Sequence, residues 1–432
     1  MSRVDNRSGR NRKKENNKLI VSIIIVLFML VIMGAAVLVA HSIASARDTV
    51  SSDNTETKTS THTERTITIG SAGDVIIHNP FLESSVYKNS KGYNFSSCFK
   101  YVKDLYNQED YMVANLETTL SGKSVGYSGY PVFNSPDSLV DNMHNAGIDM
   151  FLLANNHIYD KGKSGFLRTS EVLQKKGYDY TGARHQDKEN KYRVVNVNGV
   201  RVGMINYTFQ TSSSGGKAIN GNKMDSSVSD YLNSFNPNDL DSFYEELTKQ
   251  IALMKLAGAE YIIFYPHWGE EYKTEAYGYT KKMAQKVCDI GVDAIIGGHP
   301  HVVEPLDVLT SSDGKRKTFV AYSTGNLLSN QRRELISSLP TGNTEDGIMV
   351  SLQITRDKKG NVDLTGVNIT PTWVYKSSGS NSKYYIIPLN NLNNIEKTTG
   401  ISGIASDCKA SSKRTHKIID SGLKKVKEAY GF

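Results

Sequence analysis

The sequence predicts an α/β domain in which helices cover a pair of mixed β-sheets. From residue 67 to about residue 300, short apolar runs of strand length alternate with amphipathic runs of helix length. Such alternation is the pattern of strand-helix-strand units. After residue 300 the helical pattern stops, and apolar runs separated by turn residues follow, which is typical of antiparallel hairpins. A pair of sheets covered by helices accommodates both halves of the pattern.

The first half of the domain is assigned from its apolar runs, each about as long as a buried strand. The predicted strands span residues 67–77, 111–117, 148–155, 201–208, 259–267 and 292–298. The predicted helices between them span residues 99–106, 138–146, 166–176, 239–256 and 280–290. Asn198-Gly199 predicts a hairpin turn as well, because both residue types tolerate the positive φ angles of tight turns.

The second half of the domain is predicted to consist of strands joined by turns. These strands span residues 302–309, 318–323, 347–354 and 362–370. Turn residues separate them at Asp313-Gly314 and at Lys359-Gly360-Asn361. We therefore place the domain at residues 67–375. Residues 376–432 are predicted to be a C-terminal extension, Ser-, Asn- and Lys-rich at first and ending in a basic helix near 417–429, with no role that the sequence indicates.

The N-terminal region predicts a membrane anchor. Residues 1–18 carry seven Lys or Arg side chains and two acids, and residues 19–40 contain no charged side chain. An apolar run of that length can cross the roughly 30 Å of a bilayer as a helix. Cationic arms stay in the cytoplasm, so we expect a cytoplasmic arm, a single-pass anchor and an extracellular main domain. A cleaved signal peptide is the competing interpretation, since Ala44-Ser45-Ala46 resembles a cleavage site, but the apolar run is longer than such peptides use.

The remaining composition excludes a nucleic-acid-binding surface as the main function. The basic arm supplies +5 of the formal net charge of +7, so the rest of the chain is nearly balanced. Residues 41–66 are rich in Ser and Thr and show no apolar periodicity. We predict that they form a flexible stalk between the anchor and the domain.

Polar stretches at the ends of predicted strands indicate a metal site. Ligands collect at the carboxyl ends of strands in α/β sheets, so loops that are far apart in sequence can meet there. Carboxylate, amide and imidazole groups together suit a pair of hard or borderline divalent metal ions. The stretches are Gly73-Asp74, Asn115-Leu116-Glu117, Asn155-Asn156-His157, His267-Trp268-Gly269 and Gly298-His299-Pro300-His301.

These stretches and their surroundings resemble the CapA family of poly-γ-glutamate capsule synthesis proteins, also called PgsA. The resemblance runs from about Thr66 to Asn326 and more loosely to Thr370. It rests on six motifs in order: Ser71-Ala72-Gly73-Asp74-Val75, Ala114-Asn115-Leu116-Glu117, Leu153-Ala154-Asn155-Asn156-His157, His267-Trp268-Gly269-Glu270-Glu271, Gly297-Gly298-His299-Pro300-His301 and Tyr322-Ser323-Thr324-Gly325-Asn326. It implies the four-layer αββα fold of calcineurin-like metallophosphoesterases, preceded by one transmembrane helix.

The resemblance also implies roles for individual residues. Asp74 would bridge two divalent ions, which we expect to be Mn, Zn or Fe. Glu117 stands where phosphoesterases place a second bridging aspartate. His157 matches the histidine that protonates a leaving oxygen or stabilises the transition state. The implied metal ligands are Asp74, Glu117, Asn156, His267, His299 and His301.

One position departs from the phosphoesterase pattern. Those enzymes usually place a histidine two residues after the first aspartate, whereas this chain has Ile76 there. The nearest histidine is His78, which could bind metal only if the chain bends at Asn79-Pro80. The alternative is that His78 is a solvated loop histidine.

Two classes of function follow from the sequence. The first is a membrane-anchored component of capsule production that handles or exports an anionic polymer, poly-γ-glutamate or a similar chain, with integral membrane partners. The second is a surface metallohydrolase acting on phosphate esters or on an amide-linked polymer without a link to capsule. The same ligands serve both classes, and a degenerate site that is only structural is a third alternative.

Overall fold

The computed structural model describes residues 62–211, 215–379 and 381–432, and its strands form two large sheets and two short ribbons. In chain order the strands are β1 Arg65–Val75, β2 Lys88–Asn89, β3 Gly92–Tyr93, β4 Tyr111–Leu116, β5 Met150–Leu152, β6 Asp179–Thr181, β7 Arg193–Val197, β8 Val200–Phe209, β9 Ala218–Ile219, β10 Asn222–Lys223, β11 Ser234–Phe235, β12 Tyr261–His267, β13 Ala294–Ile296, β14 Leu306–Thr310, β15 Lys317–Ala321, β16 Asn326–Leu328, β17 Asp346–Arg356, β18 Val362–Lys376 and β19 Tyr384–Pro388.

The described helices lie mainly between the strands of the first three hundred residues and at the C-terminus. They are α1 Asn79–Glu83, α2 Lys103–Tyr106, α3 Ser138–Asn145, α4 Gly162–Lys176, α5 Asp241–Leu256, α6 Thr280–Ile290, α7 Ile395–Thr399 and α8 Ala405–Tyr430. Helices α4 and α6 end at Gly177 and Gly291, whose φ angles of 73° and 114° are left-handed. Glycine adopts that conformation without a steric penalty, which is why it commonly ends helices.

Each large sheet combines parallel and antiparallel pairs. The first sheet has the strand order β19-β18-β17-β1-β4-β5-β6, with β16 also beside β1. Its β1, β4, β5 and β6 are parallel, whereas β17, β18 and β19 are antiparallel to their neighbours. The second sheet has the order β11-β8-β12-β13-β15-β14, with β7 paired to β8. Its central strands β8, β12, β13 and β15 are parallel. The prediction of a mixed α/β fold is therefore confirmed.

Three clusters of buried apolar side chains show how the layers pack. One cluster joins the first sheet to α3 and α4, and another joins the second sheet to α5 and α6. The third contains side chains from both sheets, including Ile67 and Val113 from the first and Ile263 and Phe319 from the second. The two sheets thus face each other, and helices cover their outer faces. All residues of β12 are buried, as expected for a central strand with a layer on each side.

The structure differs from the predicted elements mainly at their ends. The strands predicted at 148–155 and 292–298 are three residues long, because the polar residues that follow them turn toward the site instead of pairing. The helix predicted at 99–106 is a 3-10 turn at Ser96–Phe99 followed by the short α2. The hairpin at Asn198-Gly199 is confirmed, with φ angles of 47° and 92° at the turn.

The region beyond residue 375 adds to the same fold. Strand β19 pairs with β18, and α8 contacts β14 of the second sheet and both β17 and β18 of the first. The predicted basic helix is the C-terminal part of α8. Among the described residues, no helix combines the length and apolar character that crossing a bilayer requires. The predicted arm at 1–18, the anchor at 19–40 and most of the stalk at 41–66 lie outside the described residues.

Candidate metal centre

The candidate site residues of the first sheet, three metal ligands and His157, lie at the carboxyl ends of its parallel strands. Asp74 is the penultimate residue of β1, Glu117 directly follows β4, and the Asn156-His157 pair follows β5 by a few residues. All four side chains are buried. Parallel neighbouring strands end at the same edge of a sheet, so these three loops meet there.

The candidate ligands of the second sheet lie at the same end of the molecule. His267 is the last residue of β12, and His299 and His301 lie in the loop after β13. All three imidazoles are buried. Contacts between the two sheets bring the two sets together, since His267 Nε2 lies 3.0 Å from Asn156 Oδ1 and His301 Nδ1 lies 3.4 Å from Asp74 Oδ2.

Carboxylate oxygens and imidazole nitrogens of both sets converge closely enough to share ions. In each of three groups, the donor atoms of all members lie within 4.8 Å of one another. The groups are Glu117 with His267 and His299, Asp74 with Glu117 and His301, and Glu271 with His299 and His301. The structure therefore brings five of the six predicted ligands into overlapping groups. The sixth, Asn156, contacts one of them through its amide oxygen.

Two polar atoms at the centre have no hydrogen-bond partner among the described residues. These are Oε1 of Glu117 and Nδ1 of His299, both buried. Buried polar atoms are almost always paired, because leaving one unpaired costs about 1–3 kcal/mol or more. Oε1 of Glu117 lies 3.6 Å from Nε2 of His267 and 3.7 Å from Nε2 of His301. A cation between these atoms would satisfy them, so the donor set fits a divalent metal ion.

The electrostatic environment also favours binding of cations. Burial and the neighbouring charge of Asp74 raise the pKa of Glu117 well above its ordinary value. Burial and the neighbouring imidazoles lower the pKa of both His267 and His299 well below theirs. Neutral imidazoles offer lone pairs for coordination, and two adjacent carboxylates need positive charge to remain ionised together.

The backbone around His299 and His301 adopts an uncommon conformation. Their φ angles are 98° and 58°, in a region that non-glycine residues rarely occupy because of steric strain, typically about 1–3 kcal/mol each. Gly298 precedes them, and a Cβ atom there would lie 2.9 Å from Oδ1 of Asp74. Only glycine therefore lets this loop approach the Asp74 carboxylate closely.

His157 points to the edge of the centre and is oriented by two neighbours. Its Nδ1 lies 2.8 Å from Oδ2 of Asp160, which also accepts a hydrogen bond from the backbone N–H of Phe133 at 2.7 Å. The ring of Phe133 packs edge to face against His157 at 4.6 Å between centroids. Asp160 thus holds both the imidazole and the facing loop.

His78 lies outside the groups of candidate ligands. The chain does turn at Asn79-Pro80, where α1 begins, but Nδ1 of His78 accepts a hydrogen bond from the backbone N–H of Asn330 at 3.2 Å. Burial and the proximity of His301 lower the pKa of His78 to about 4. The side chain of His78 is half-buried and packs edge to face against Phe133. It is therefore neither one of the grouped candidate ligands nor fully solvated.

Two asparagines at the centre were part of sequence motifs without being assigned a role. Nδ2 of Asn115 donates to Oδ1 of Asp74 at 2.7 Å and to Oε2 of Glu117 at 3.3 Å. Oδ1 of Asn326 lies 3.2 Å from Nδ1 of His301. Asn326 pairs with Asp74 in the β1–β16 register. Both asparagines orient candidate ligands. Their position inside the quoted motifs is the feature of the sequence that could have identified them.

A cleft of about 760 Å³ opens beside the centre. Its lining includes His78, Asn156, His157, Glu271 and Tyr272. Among the described residues that line it there are five carboxamide side chains and two acids but no lysine or arginine. Trp268, by contrast, is fully buried and donates its indole N–H to the backbone carbonyl of Tyr322, so it belongs to the core and does not line the cleft.

Comparison with known proteins places this arrangement in context. The family model described as "Bacterial capsule synthesis protein PGA_cap" matches residues 68–331. The chain is 24% identical over 332 residues to the PGA biosynthesis protein CapA of Bacillus subtilis (strain 168), covering 74% of this chain and 77% of that protein. It is 29% identical over 257 residues to the capsule biosynthesis protein CapA of Bacillus anthracis, covering 59% of this chain and 53% of that protein.

A similar solved structure is that of the sulfate thiohydrolase SoxB of Thermus thermophilus in complex with glycerol. It aligns with 13% sequence identity and a TM-score of 0.37, over 75% of this chain and 46% of that chain.

Proposed function

The chain belongs to the bacterial capsule synthesis protein family PGA_cap, and from this premise we propose that it acts in capsule biosynthesis through a divalent-metal centre. We assign its layered sheets and helices to the αββα class of calcineurin-like metallophosphoesterases. The proposed polymer is poly-γ-glutamate, because the relative in Bacillus subtilis is named for the biosynthesis of PGA. The proposal includes export or processing of the polymer outside the membrane, together with integral membrane proteins of capsule synthesis.

The observation that carries the metal proposal is the buried, unpaired Oε1 of Glu117, which faces the imidazoles of His267 and His301. We propose two ions, of Mn, Zn or Fe, held by the three groups of donors together with Asn156. Asp74 and Glu117 would help to hold them, since each carboxylate lies near an imidazole from the other sheet. When bound, such ions supply Lewis-acid activation of an ester or amide oxygen.

The protein's own contribution to a proton-transfer step would come from His157. Its Nδ1–H donates to Asp160, so Nε2 is the atom that exchanges a proton with a group in the cleft. A carboxylate that fixes the tautomer also stabilises the protonated ring. We propose that His157 protonates the leaving oxygen or nitrogen of the substrate.

Membrane attachment belongs to the same proposal and rests on the sequence. Residues 19–40 would form a single-pass anchor with the N-terminus in the cytoplasm, and residues 41–66 would hold the domain away from the membrane.

A cellular comparison tests whether the proposed chemistry serves capsule production. Cells carrying Asp74→Ala are expected to make no polymer, because the metal centre is lost. Cells carrying His157→Ala are expected to lose polymer if hydrolysis is part of the process. Normal polymer with His157→Ala but none with Asp74→Ala would mean that the metals bind polymer or partners without catalysing a reaction. Normal polymer in both strains contradicts the capsule proposal.

A second candidate function is a surface metallohydrolase without a link to capsule. One observation favours it: the cleft beside His157 is lined by carboxamides and has no cationic side chain among its described residues, which suits an uncharged substrate. Hydrolysis of an uncharged amide-linked polymer by the purified protein, combined with a normal capsule in Asp74→Ala cells, would support this alternative.

A further inference from the structure

We propose that the outer face of α8 is a binding surface for a polyanionic chain with repeated carboxylates. The inference deepens the proposed function, on which its choice of ligand rests, and assigns a role to the basic helix. Helix α8 carries seven Lys or Arg side chains against three carboxylates, a net charge of +4 over 26 residues. This is the largest net positive charge on any of the described helices.

Five of the seven cations of α8 lie on one face, which also carries Asp420 in a pair with His416, and the buried apolar side chains lie on another. At 100° per residue, five lysines fall within a sector of about 80°. These are Lys409, Lys413, Lys417, Lys424 and Lys427, all exposed. Buried side chains such as Cys408, Ile419 and Val426 point about 140° away and pack against the domain. From Lys409 to Lys427 the basic face extends about 27 Å.

Most of these lysines have no acidic partner. Among the described residues, no carboxylate lies within ion-pair distance of Lys409, Lys413, Lys417 or Lys427, and Lys424 alone pairs, with Glu428 at 3.8 Å. Like charges four residues apart destabilise a helix. A row of unpaired cations at that spacing therefore favours an anionic ligand over a purely structural role.

The position of α8 complements the cleft beside the metal centre. That cleft has no lysine or arginine among its described lining residues. It therefore offers no Lys or Arg charge to attract a chain with many carboxylates. Lys417 and Arg414 line a separate depression of about 530 Å³, together with Thr274, Glu275 and Pro305. Thr274 and Pro305 follow the loops of His267 and His301. The middle of the basic face, at Lys417, thus lies close to the loops that carry candidate ligands. A polymer bound along this face could reach the metal centre with one end.

An anionic membrane surface is the other source of negative charge, and the helix fits it less well. Helices that lie in a bilayer interface insert an apolar face among the lipids. The apolar face of α8 is buried against the two sheets instead. Only charged and polar side chains remain exposed on its outer side, which favours a soluble or growing polyanion.

The test measures binding of poly-γ-glutamate to the full chain in neutral detergent. Lys409, Lys413 and Lys417 are changed together to Glu, and binding is followed by titration at low and physiological salt. We expect affinity to fall by about tenfold or more at physiological salt, and the dependence of affinity on salt to become shallower, because fewer cations contact the polymer. The milder triple change to Gln should lower affinity in the same direction by less.

A matched control separates local recognition from net charge. Lys249 of α5 with Lys282 and Lys286 of α6 are exposed, and changing all three to Glu alters the net charge equally. This control is expected to keep affinity within about threefold of wild type. Both triple Glu variants should contain as much metal as wild type, so a loss of affinity in the α8 variant alone is separated from any change at the metal centre.

Three outcomes would overturn the proposal. Equal loss of affinity in the two triple Glu variants would mean that only net charge matters. Unchanged polymer affinity in the α8 variant would mean that the polymer binds elsewhere. Binding to phosphatidylserine vesicles that the α8 variant alone loses, without a change in polymer affinity, would identify a lipid surface as the ligand. Circular dichroism and thermal unfolding of each variant exclude misfolding as the cause.

Discussion

The imidazole of His157 and the carboxylate of Asp160, three residues apart, are joined by a 2.8 Å contact between Nδ1 and Oδ2. Both side chains are almost fully buried. Because Oδ2 also accepts the backbone N–H of Phe133, Asp160 cannot rotate away without losing a second bond. The pair therefore fixes which nitrogen of His157 faces the cleft.

Removing the His157 imidazole is expected to abolish proton transfer and leave metal binding intact. His157→Ala should lower turnover of a generic phosphate ester by about 10² to 10⁴, the usual contribution of a general acid. Metal content should not change, since His157 is outside the groups of candidate ligands. Asp160→Asn should lower turnover as well, by disturbing the tautomer.

Nitrogen NMR of the histidine rings provides a readout that does not depend on turnover. In the wild type, Nδ1 of His157 should carry the proton, and Asp160→Asn should change that signal. Full turnover and unchanged metal content in His157→Ala would contradict the acid role.

Chelation is expected to destabilise the protein, because the candidate ligands come from loops of two different sheets. A ligand present at a hundredfold excess over its Kd stabilises the folded state by about 2.7 kcal/mol. The purified wild type should contain Mn, Zn or Fe by elemental analysis, and the free energy of unfolding should fall when a chelator is added.

Single ligand variants should reproduce this loss. Asp74→Ala and His299→Ala should each contain less metal and respond less to the chelator. His416→Ala is the matched control, because His416 is exposed on α8 and pairs only with Asp420. Absence of all three metals from the wild type would instead identify a degenerate centre.

The sequence predicted where most strands lie and which polar residues follow them, for a physical reason. Buried parallel strands must be apolar along their length, so the change to polar residues marks where each strand stops. Asp74, Glu117 and His267 follow such changes directly, and the structure brings them together. The change from apolar to polar residues does not predict that the two sheets converge or what Asn115 does. Asn115 contacts Asp74, 41 positions away, and His267, 152 positions away, and contacts over such distances leave no periodic pattern in the sequence.

Other features depended on tertiary contacts that a pattern does not contain. The Ser- and Asn-rich segment after residue 375 has little apolar periodicity, yet it is followed by β19, which pairs with the edge of the first sheet. His78 could not be assigned from spacing alone, because its environment is set by the backbone of Asn330, 252 positions later. Local sequence therefore predicted which elements exist better than which loops face each other.

The orientation of the chain in the membrane is tested by protease accessibility. The seven cations of residues 1–18 and the apolar run 19–40 predict a cytoplasmic N-terminus and an external body. Protease added to intact, wall-stripped cells should degrade the domain and spare an N-terminal fragment. A cytoplasmic marker protein should stay intact in the same cells. Protection of the domain until lysis would contradict the external placement.

Glu345 is expected to stabilise the loop behind the metal centre. Its carboxylate accepts hydrogen bonds from Arg333 at 2.7 and 2.9 Å and from the indole of Trp373 at 3.1 Å. The adjacent carbonyl of Thr344 accepts from Asn326, which contacts His301. Glu345→Gln should lower the free energy of unfolding by about 1–3 kcal/mol at neutral pH, because it removes the carboxylate that pairs with the half-buried Arg333 and the buried Arg332.

The stabilisation that Glu345 provides should decrease as the pH is lowered. Burial opposes ionisation of Glu345, but hydrogen bonds from Arg333 and the charge of Arg332 outweigh it and lower its pKa from 4.5 to about 2. A depressed folded-state pKa stabilises the protein above the unfolded value, and the stabilisation is lost as pH falls toward 2. Urea unfolding at several pH values should show the difference between wild type and Glu345→Gln shrinking between about pH 4.5 and 2. A difference independent of pH would contradict the assignment.

Asn115 is expected to tune the metal centre without binding metal itself. Its amide donates to both Asp74 and Glu117, and such outer partners typically contribute about 10- to 100-fold to metal affinity. Asn115→Leu keeps the side-chain volume but removes both hydrogen bonds, so competition titration with a chelator should show this loss of metal affinity.

Asn142→Leu is the control, because Asn142 is also a buried asparagine but accepts a hydrogen bond from the backbone N–H of Phe95, away from the centre. It should lower stability and leave metal affinity unchanged. If the two variants lose metal affinity equally, the effect of Asn115 is general destabilisation, and the carboxylates do not depend on its hydrogen bonds for their geometry.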